Sequence, residues 1–548
     1  MILTLLRAQK AKFIGVFSLS FLNSLFEVAG IGSFAFFLQQ AASGQNETAI
    51  LLGSSTFTLN TFLLPWICVG IFILKALIHL LYYFYLGKLV YGTELFFNSQ
   101  FFRYYLNQHD FHNGDSSELI RRNLLVEIPM FAQNFLQSLL HIISELVLLA
   151  SLGALVLYMF SDYWFELIFG GLIVLVLLSL TMFLTRPLQH LGRHRQYYIT
   201  LNIREVSQLA NGWKDIKANK LQDIALSRYD NAVQRYTAYM ATLFPLQAAP
   251  RVIFEAIIIS GLVVGFFYLQ NSSQGKEFEL ARISVFALAA LRVYPSLAKL
   301  GTLMALLSFS RTSFDTLQTL HHQMDAKLPK GLIRSHSPYK SGEEIALTIT
   351  DFTLAIPNQP APIYIKKIVI AHGDIVLIKG PNGSGKTTMM DVLSGVSERG
   401  VGHLSYGSRN DDAPITMRYC TQAPYYTDRP LINQALFNNL PAEKVRDIMF
   451  QSNLFDAQAI EKVMAIENAQ NLSGGEKIKI ACAEALSFDC DICFLDEPTS
   501  AMDRTAKVQL RDAIVAKAKF GTSFIIVSHD ETFSGIEKII IETEKGMS

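Results

Sequence analysis

Long apolar runs fill the chain up to about Ser310. Beyond about Glu344 they give way to short apolar stretches separated by Gly, Asp, Asn and Ser. A helix of about 20 apolar residues crosses a bilayer core. Six segments reach that length, at about Phe13–Leu38, Thr61–Leu86, Phe135–Phe160, Phe165–Leu184, Val252–Leu269 and Ile283–Leu307. The first is too long for a signal peptide and has no small-residue cleavage site behind it. Leu86–Leu106 and Leu188–Tyr239 carry apolar residues at helical spacing among charges, so the spanning helices are expected to continue past the bilayer. Breakers in Asn107–Ser117 and Ala210–Asn219 mark the turning points. After the sixth segment, His321–Glu344 collects Pro329, Gly331, Pro338 and Gly342 without a long apolar run, as a linker does. The expected architecture is an all-α six-span transmembrane domain over residues 1–320, a linker over 321–344 and an α/β domain over 345–548. No internal repeat is visible.

Composition supports two halves with different solvents. Of 548 residues, 51% are hydrophobic and only 17% charged, against about 25% charged in soluble domains. That excludes an ordinary soluble enzyme and a disordered chain. Forty-seven basic and 46 acidic residues leave a net charge of +1, which gives no reason to expect nucleic acid as a partner. The distribution of the basic residues is more telling. Arg7, Lys10 and Lys12 precede the first segment, and the second and fourth connections carry Arg103, Arg121, Arg122, Arg193, Arg195, Arg204, Lys214, Lys217 and Lys220. The first connection, Gln39–Asn60, and the third, Ser161–Tyr163, carry none. Both termini and the long connections are therefore expected in the cytoplasm. Asn46-Glu47-Thr48 on the outer loop has the form of a glycosylation sequon and is read as chance. Five cysteines make no disulfide framework. Cys490 and Cys493 have CxxC spacing, but no second ligand pair follows, and residues i and i+3 of a strand face opposite sides, so neither a metal nor a redox role is expected.

The chemistry is concentrated in the last third. Ile375–Lys379 reads as a buried strand. It runs into Gly380-Pro381-Asn382-Gly383-Ser384-Gly385-Lys386-Thr387 and then a helix from Thr388. This is the G-x-x-x-x-G-K-[ST] phosphate loop in its strand–loop–helix setting. Backbone N–H groups cradle phosphates, the helix N-terminus adds positive potential, Lys386 reaches the β/γ phosphates and Thr387 ligates Mg²⁺. Ile492–Leu495 is a second buried strand and ends at Asp496-Glu497, where Asp496 is placed to hold Mg²⁺ and Glu497 to polarise a water. Asn471-Leu472-Ser473-Gly474-Gly475-Glu476 opens a helix and offers another anion site. Alone, it reads equally well as a simple N-cap.

Together these residues resemble the ATP-binding cassette (ABC) family. The resemblance covers Ile345 to near the C-terminus and adds Gln422 in Tyr419-Cys-Thr-Gln422, Ser500-Ala-Met-Asp503 and His529 after Ile525-Ile-Val-Ser. It implies ATP and Mg²⁺ as ligands, and a head-to-tail dimer. In that dimer each ATP lies between one P-loop, Gly380 to Thr388, and the partner's Ser473, Gly474 and Gly475. It implies Thr387, Gln422 and Asp496 around the metal, and Glu497, His529 and Gln422 in catalysis. Two positions depart from the family. Ile356 stands where an aromatic residue usually stacks on adenine, with Phe352 and Tyr364 as substitutes to consider, and Glu476 replaces the Gln usual in exporters.

Six spans followed by a cassette on one chain resemble the exporter-type half-transporters. The resemblance implies coupling helices at Asn107–Ser117 and Ala210–Asn219, and it disfavours import and leader-peptide processing. The spans hold Glu27, Lys75, His79, His141, Glu145, Glu255, Arg292 and Lys299, which either pair with one another (Lys75 with Glu27, Arg292 with Glu255) or face a cavity. Ile73–Tyr83 and Phe286–Ser296 are similar to the second and sixth spans of bacterial lipid-linked oligosaccharide flippases. The reading is a homodimeric ATP-driven exporter or flippase of a bacterial inner membrane. Its expected substrate is a lipid-linked glycan or another amphipathic anionic lipid. The alternatives are export of a peptide or amphipathic small molecule and, more remotely, a non-transporting membrane regulator.

Overall fold

The computed structural model describes residues 1–43, 47–52, 55–60, 63–107, 115–159, 164–272, 279–325, 332–337, 345–356, 362–408, 415–434 and 440–543. They form two compact units, one up to Lys327 and one from Leu328 onward.

The first unit is helical. Its elements are α1 (Ile2–Ala8), α2 (Lys10–Ser43), strands β1 (Glu47–Leu52) and β2 (Ser55–Asn60), α3 (Leu64–Leu106), α4 (Asp115–Arg122), α5 (Ile128–Met130), α6 (Gln137–Met159), α7 (Trp164–Ala218), α8 (Gln222–Ser272) and α9 (Glu279–Asp325). Among the described residues three stretches are long and apolar enough to cross a membrane: Lys10–Phe34, Leu64–Leu106 and Ser117–Ala154. The other three expected segments fall within α7, α8 and α9, where many side chains lie outside the described set. At about 1.5 Å per residue, the 55 residues of α7 reach about 80 Å. That far exceeds a hydrocarbon core of about 30 Å, so the expected helical extensions exist.

Three details concern the connections between the long helices. The first connection holds an antiparallel hairpin, with Glu47 opposite Asn60; Asn46 of the sequon lies outside the described residues. Ala210–Asn219 is not a separate element: α7 continues through Gly212 to Ala218, and the chain reverses at Lys220, whose φ is 56°. Residues 108–114 of the other expected coupling segment lie outside the described residues, and α4 begins directly after them.

Pro129 sits in α5, flanked by the π-helical turns Asn123–Glu127 and Phe131–Leu136. Proline gives no N–H to the ladder and clashes with the carbonyl four residues back, and a widened turn relieves both. Around this irregular stretch Phe97, Phe101 and Phe131 are fully buried, and Phe135 stacks on Phe314 with centroids 4.8 Å apart. Higher in the bundle, Lys75 pairs with Glu27 at 2.6 Å and Lys299 with Glu145 at 2.7 Å. His79 Nδ1 lies 3.2 Å from Asn23 Oδ1, and the Tyr82 hydroxyl 3.2 Å from His141 Nδ1. Internal pairing thus holds for Lys75; the Arg292 side chain lies outside the described residues.

The second unit comprises β3 (Leu332–Ser337), β4 (Ile345–Leu354), β5 (Ile363–Ala371), β6 (Ile375–Lys379), α10 (Lys386–Ser394), β7 (Val401–Gly407), β8 (Met417–Cys420), α11 (Ala442–Gln451), α12 (Ala457–Met464), α13 (Gly474–Ser487), β9 (Ile492–Asp496), α14 (Arg504–Lys519), β10 (Ser523–Val527) and β11 (Ile539–Glu542). A parallel sheet has the order β11-β6-β10-β9-β8, and a second sheet has the order β3-β7-β4-β5. β3 falls inside the stretch read as a linker. Its polar alternation, Arg334-Ser335-His336-Ser337, concealed an edge strand that pairs with β7. The parallel strands are buried on both faces. Val376, Ile378, Phe494 and Ile525 join Ile349, Phe352 and Leu354 of the other sheet, whereas Leu377, Leu495 and Ile526 pack with Leu510 and Ile514 of α14. All five cysteines are free and buried. Cys490 precedes β9 rather than lying in it, so it shares one core cluster with Cys493 instead of facing away. Among the described residues no group of His, Cys, Asp and Glu could hold a metal by itself.

Candidate nucleotide site

A parallel sheet directs every strand's carboxyl end to one edge, and ligands bind in the crevice outside that edge. Here β6 leads into the P-loop, β9 into Asp496 and Glu497, β10 into His529 and β8 into Gln422. The strand order brings these positions, spread over about 150 residues of sequence, onto neighbouring strands.

The P-loop turns through Gly380, Gly383 and Gly385, all at positive φ. Two of them are required by close neighbours: a Cβ on Gly380 would strike the Thr543 hydroxyl, and one on Gly385 would strike Ile356. Ser384 Oγ lies 2.5 Å from Thr543 Oγ1, and Thr543 Oγ1 donates to Lys379 O at 3.2 Å. The chain after β11 therefore braces the loop from below. The helix opens at Lys386, slightly before the expected Thr388, with Gly385 as its N-cap. Pro381, Asn382 and Gly383 are exposed at the crest, whereas Lys386 is buried. Lys386 Nζ donates to Gly380 O at 2.9 Å and Pro381 O at 2.8 Å. Burial lowers its pKa, and Glu497 and Asp496 oppose that shift. The ammonium is thus held by two carbonyls that a phosphate oxygen can replace.

Asp496 is 2% exposed. Its carboxyl is held above the usual range by burial, against a hydrogen bond from the Thr387 side chain. Its Oδ1 has no hydrogen-bond partner among the described residues. A buried carboxylate oxygen with no donor, next to a threonine hydroxyl, fits a hard divalent cation with oxygen ligands. Glu497 follows with φ 47°, a strained value for a residue with a side chain. The left-handed kink swings its carboxylate into the crevice. Gln422 Nε2 donates to Glu497 Oε2 at 3.1 Å, and His529 Nε2 lies 3.3 Å from Glu497 Oε1. The structure brings two of the expected catalytic side chains, Gln422 and His529, onto the carboxylate of the third, Glu497.

Ser473, Gly474 and Gly475 open α13, and the capping reading holds. Ser473 Oγ accepts from Glu476 N at 3.3 Å, and Glu476 Oε2 accepts from Ser473 N at 2.9 Å. Hydrogen bonds from the Ser473 backbone and hydroxyl lower the Glu476 pKa. Glutamate at this position therefore closes a capping box. Gly475 is tight against Ala501 O of the Ser500–Asp503 turn, and Asp503 caps α14 through Ala506 N.

The base-stacking substitutes do not survive. Phe352 is fully buried in the core. Tyr364 alternates with the inward Ile363 and Ile365 and hydrogen-bonds Asp351, on the face of β5 opposite to Ile363. Ile356 lies against Gly385 of the P-loop, with Ile363 beside it. Sequence reasoning missed two supports. Asp391 of α10 is buried and accepts from the Tyr419 hydroxyl at 2.8 Å. Thr543 braces the loop from some 160 residues away, with no local pattern to announce it.

This geometry defines a P-loop ATPase cassette. Residues 367–500 match the ABC transporter family model. The C-terminal domain is an ABC transporter ATPase domain, and the chain has the fold of an ABC exporter: a bacterial Atm1-family ABC exporter with ATP bound superposes with a TM-score of 0.72 over 98% of this chain and 94% of that one, at 14% identity. The chain is 23% identical to an ATP-dependent lipid A-core flippase of Cupriavidus metallidurans, over 87% of this chain and 82% of the relative. It is 24% identical to a β-(1→2)glucan export ATP-binding/permease protein of Bartonella henselae, over 51% of each. It spans 39% of a Clostridium tetani ABC transporter ATP-binding protein, at 28% identity over 30% of this chain.

Proposed function

We propose that this chain, as a homodimer in a bacterial inner membrane with its cassettes in the cytoplasm, uses ATP hydrolysis to export or flip an amphipathic substrate. The observation that carries the reading is the meeting of Gln422 and His529 on the Glu497 carboxylate beside the P-loop. Glu497 takes the proton of the attacking water, Gln422 and His529 orient the carboxylate, and Lys386 leaves its loop carbonyls for the phosphates. Thr387, Asp496 and Gln422 would hold Mg²⁺, which neutralises the β/γ phosphate oxygens when bound. Residues 380–388 bind one face of the nucleotide, and Ser473, Gly474 and Gly475 of the second copy close the other.

The favoured substrate is a lipid-linked glycan or another anionic amphipathic lipid. Relatives named as a lipid A-core flippase and a β-(1→2)glucan exporter support that class. The Lys75–Glu27 pair argues against Lys75 as a free cation for the headgroup. Export of a peptide or small amphiphile is the second reading. The test is ATP turnover of the protein in nanodiscs, with Glu497→Gln as blank, after addition of a polyprenyl-pyrophosphate glycan or of a peptide and small-molecule mixture. Stimulation by the glycan lipid alone supports the first reading. Stimulation only by the mixture replaces it with the second.

A further inference from the structure

Two histidine side chains of α7 meet outside the nucleotide site. His190 Nε2 lies 3.0 Å from His194 Nε2, with ring centroids 4.5 Å apart and ring planes at 85°. They are four positions apart, which puts them on one helix face. Gly192 stands midway and is buried; a Cβ there would strike Phe309 O of α9. Two residues of helix turn through about 200°, so the imidazoles face away from α9. Tyr239 of α8 lies flat on His194, with centroids 4.6 Å apart and planes at 6°, and Tyr198 stacks on Tyr239 in turn. This stack holds the His194 ring, while His190 is exposed to solvent. His190 comes six residues after Leu184, where the fourth apolar segment ends, so the pair is reached from water.

A neutral imidazole donates from one nitrogen and accepts at the other. The contact is therefore either one hydrogen bond between two neutral rings or one edge of a metal's coordination sphere. An exposed hydrogen bond adds little. The metal edge fits in length: two imidazole nitrogens about 2.05 Å from a metal, at right angles, stand about 2.9 Å apart. A right-angled pair of imidazoles suits the tetragonal geometry of Cu²⁺ or Ni²⁺ better than the tetrahedron of Zn²⁺. No third His, Cys, Asp or Glu joins the pair among the described residues, so the histidines do not enclose an ion by themselves and water completes its shell. Arg186 and Arg193 are exposed on the same stretch. Their charge weakens the attraction for a cation, but long guanidinium stems swing into water and leave the imidazoles open. Arg235 of α8 is turned to Tyr198 and Asn231. We propose that His190 and His194 form an open two-histidine site for a divalent late transition metal, Cu²⁺ or Ni²⁺, on the part of α7 beyond its apolar segment.

The test uses the full-length protein in nanodiscs at about pH 7.5, where an ordinary imidazole is mostly neutral, with no polyhistidine tag and no nucleotide. His109 and His112, a second closely spaced pair in the sequence, are replaced by Gln throughout. One equivalent of Cu²⁺ is expected to give an electron paramagnetic resonance spectrum with splitting from two equivalent imidazole nitrogens, and equilibrium dialysis to show one tight Ni²⁺ per chain. His190→Gln and His194→Gln should each remove the two-nitrogen pattern and weaken that Ni²⁺ about tenfold or more, because a chelate loses one of its two arms. Tyr239→Leu, which leaves both ligands but frees the His194 ring, should keep the pattern and weaken binding by less. His190 is exposed, so His190→Gln decides the matter if His194→Gln does not fold. Unchanged Ni²⁺ affinity in His190→Gln means an adventitious ion only and overturns the proposal. A parent spectrum with a single nitrogen also overturns it and leaves the pair as a hydrogen bond.

Discussion

Replacing Lys75 separates a structural ion pair from a substrate contact. Lys75 Nζ lies 2.6 Å from Glu27, with the two side chains 24% and 4% exposed. At an effective dielectric of about 20 the gross attraction is about 6 kcal/mol, and desolvation of the two ions removes most of it. Removing one partner of a buried pair costs about 3–5 kcal/mol, because the other charge is left stranded. Since part of Lys75 is accessible, Lys75→Met should cost about 3 kcal/mol, and Glu27→Gln a similar amount. The double variant should return to within about 1 kcal/mol of the parent, as buried pairs replaced by uncharged groups often do. Equilibrium unfolding in mixed SDS micelles, followed by intrinsic fluorescence, gives the three differences and the coupling between them. The reasoning is refuted if Lys75→Met is as stable as the parent, or if the double variant is no better than the worse single one. A stable Lys75→Met that loses substrate-stimulated ATPase would return Lys75 to the substrate.

Glu497→Gln should lower ATP turnover by about 10²–10⁴ while nucleotide binding persists; unchanged phosphate release would remove Glu497 as the base. Asp496 has a raised carboxyl pKa in the fold, so its contribution to stability is complete below the unfolded carboxylate pKa and is lost as pH rises through the folded one. Asp496→Asn should therefore raise the melting temperature of the nucleotide-free protein at pH 7, with the advantage shrinking on acidification, while ATPase activity is lost. A lower melting temperature at pH 7 would contradict the burial argument. Ile356→Tyr should strengthen ATP binding by about 2–10-fold, the worth of an aromatic stack, and sharpen preference over GTP. Equal binding of both nucleotides in parent and variant would show that this position does not meet the base.

Much of the cassette was legible because its chemistry is local. Gly380–Thr387 and Asp496-Glu497 each follow an apolar strand directly, so strand, turn and site are read in one window. The N-cap at Ser473 was legible too, whereas the capping box that Glu476 closes shows only in the fold. What stayed hidden is non-local or breaks its own periodicity. β3 looked like linker because an edge strand needs no apolar alternation on its open side. Gly212 and Asn219 suggested a turn spread over ten residues, yet α7 runs through Gly212 to Ala218 and the reversal sits at Lys220. Thr543 owes its importance to a partner 159 positions away, which no sequence window contains.

The left-handed backbone at Glu497 sets stability against activity at that position. A non-glycine residue at φ 47° carries a strain of about 1–3 kcal/mol that glycine would not. Laboratory selection for heat resistance alone would therefore favour Gly at position 497 and, with Glu497 as the proposed base, yield a more durable protein with little ATP turnover. Only selection that requires work from the molecule keeps the glutamate, so a library sorted both ways would separate endurance from function at this residue.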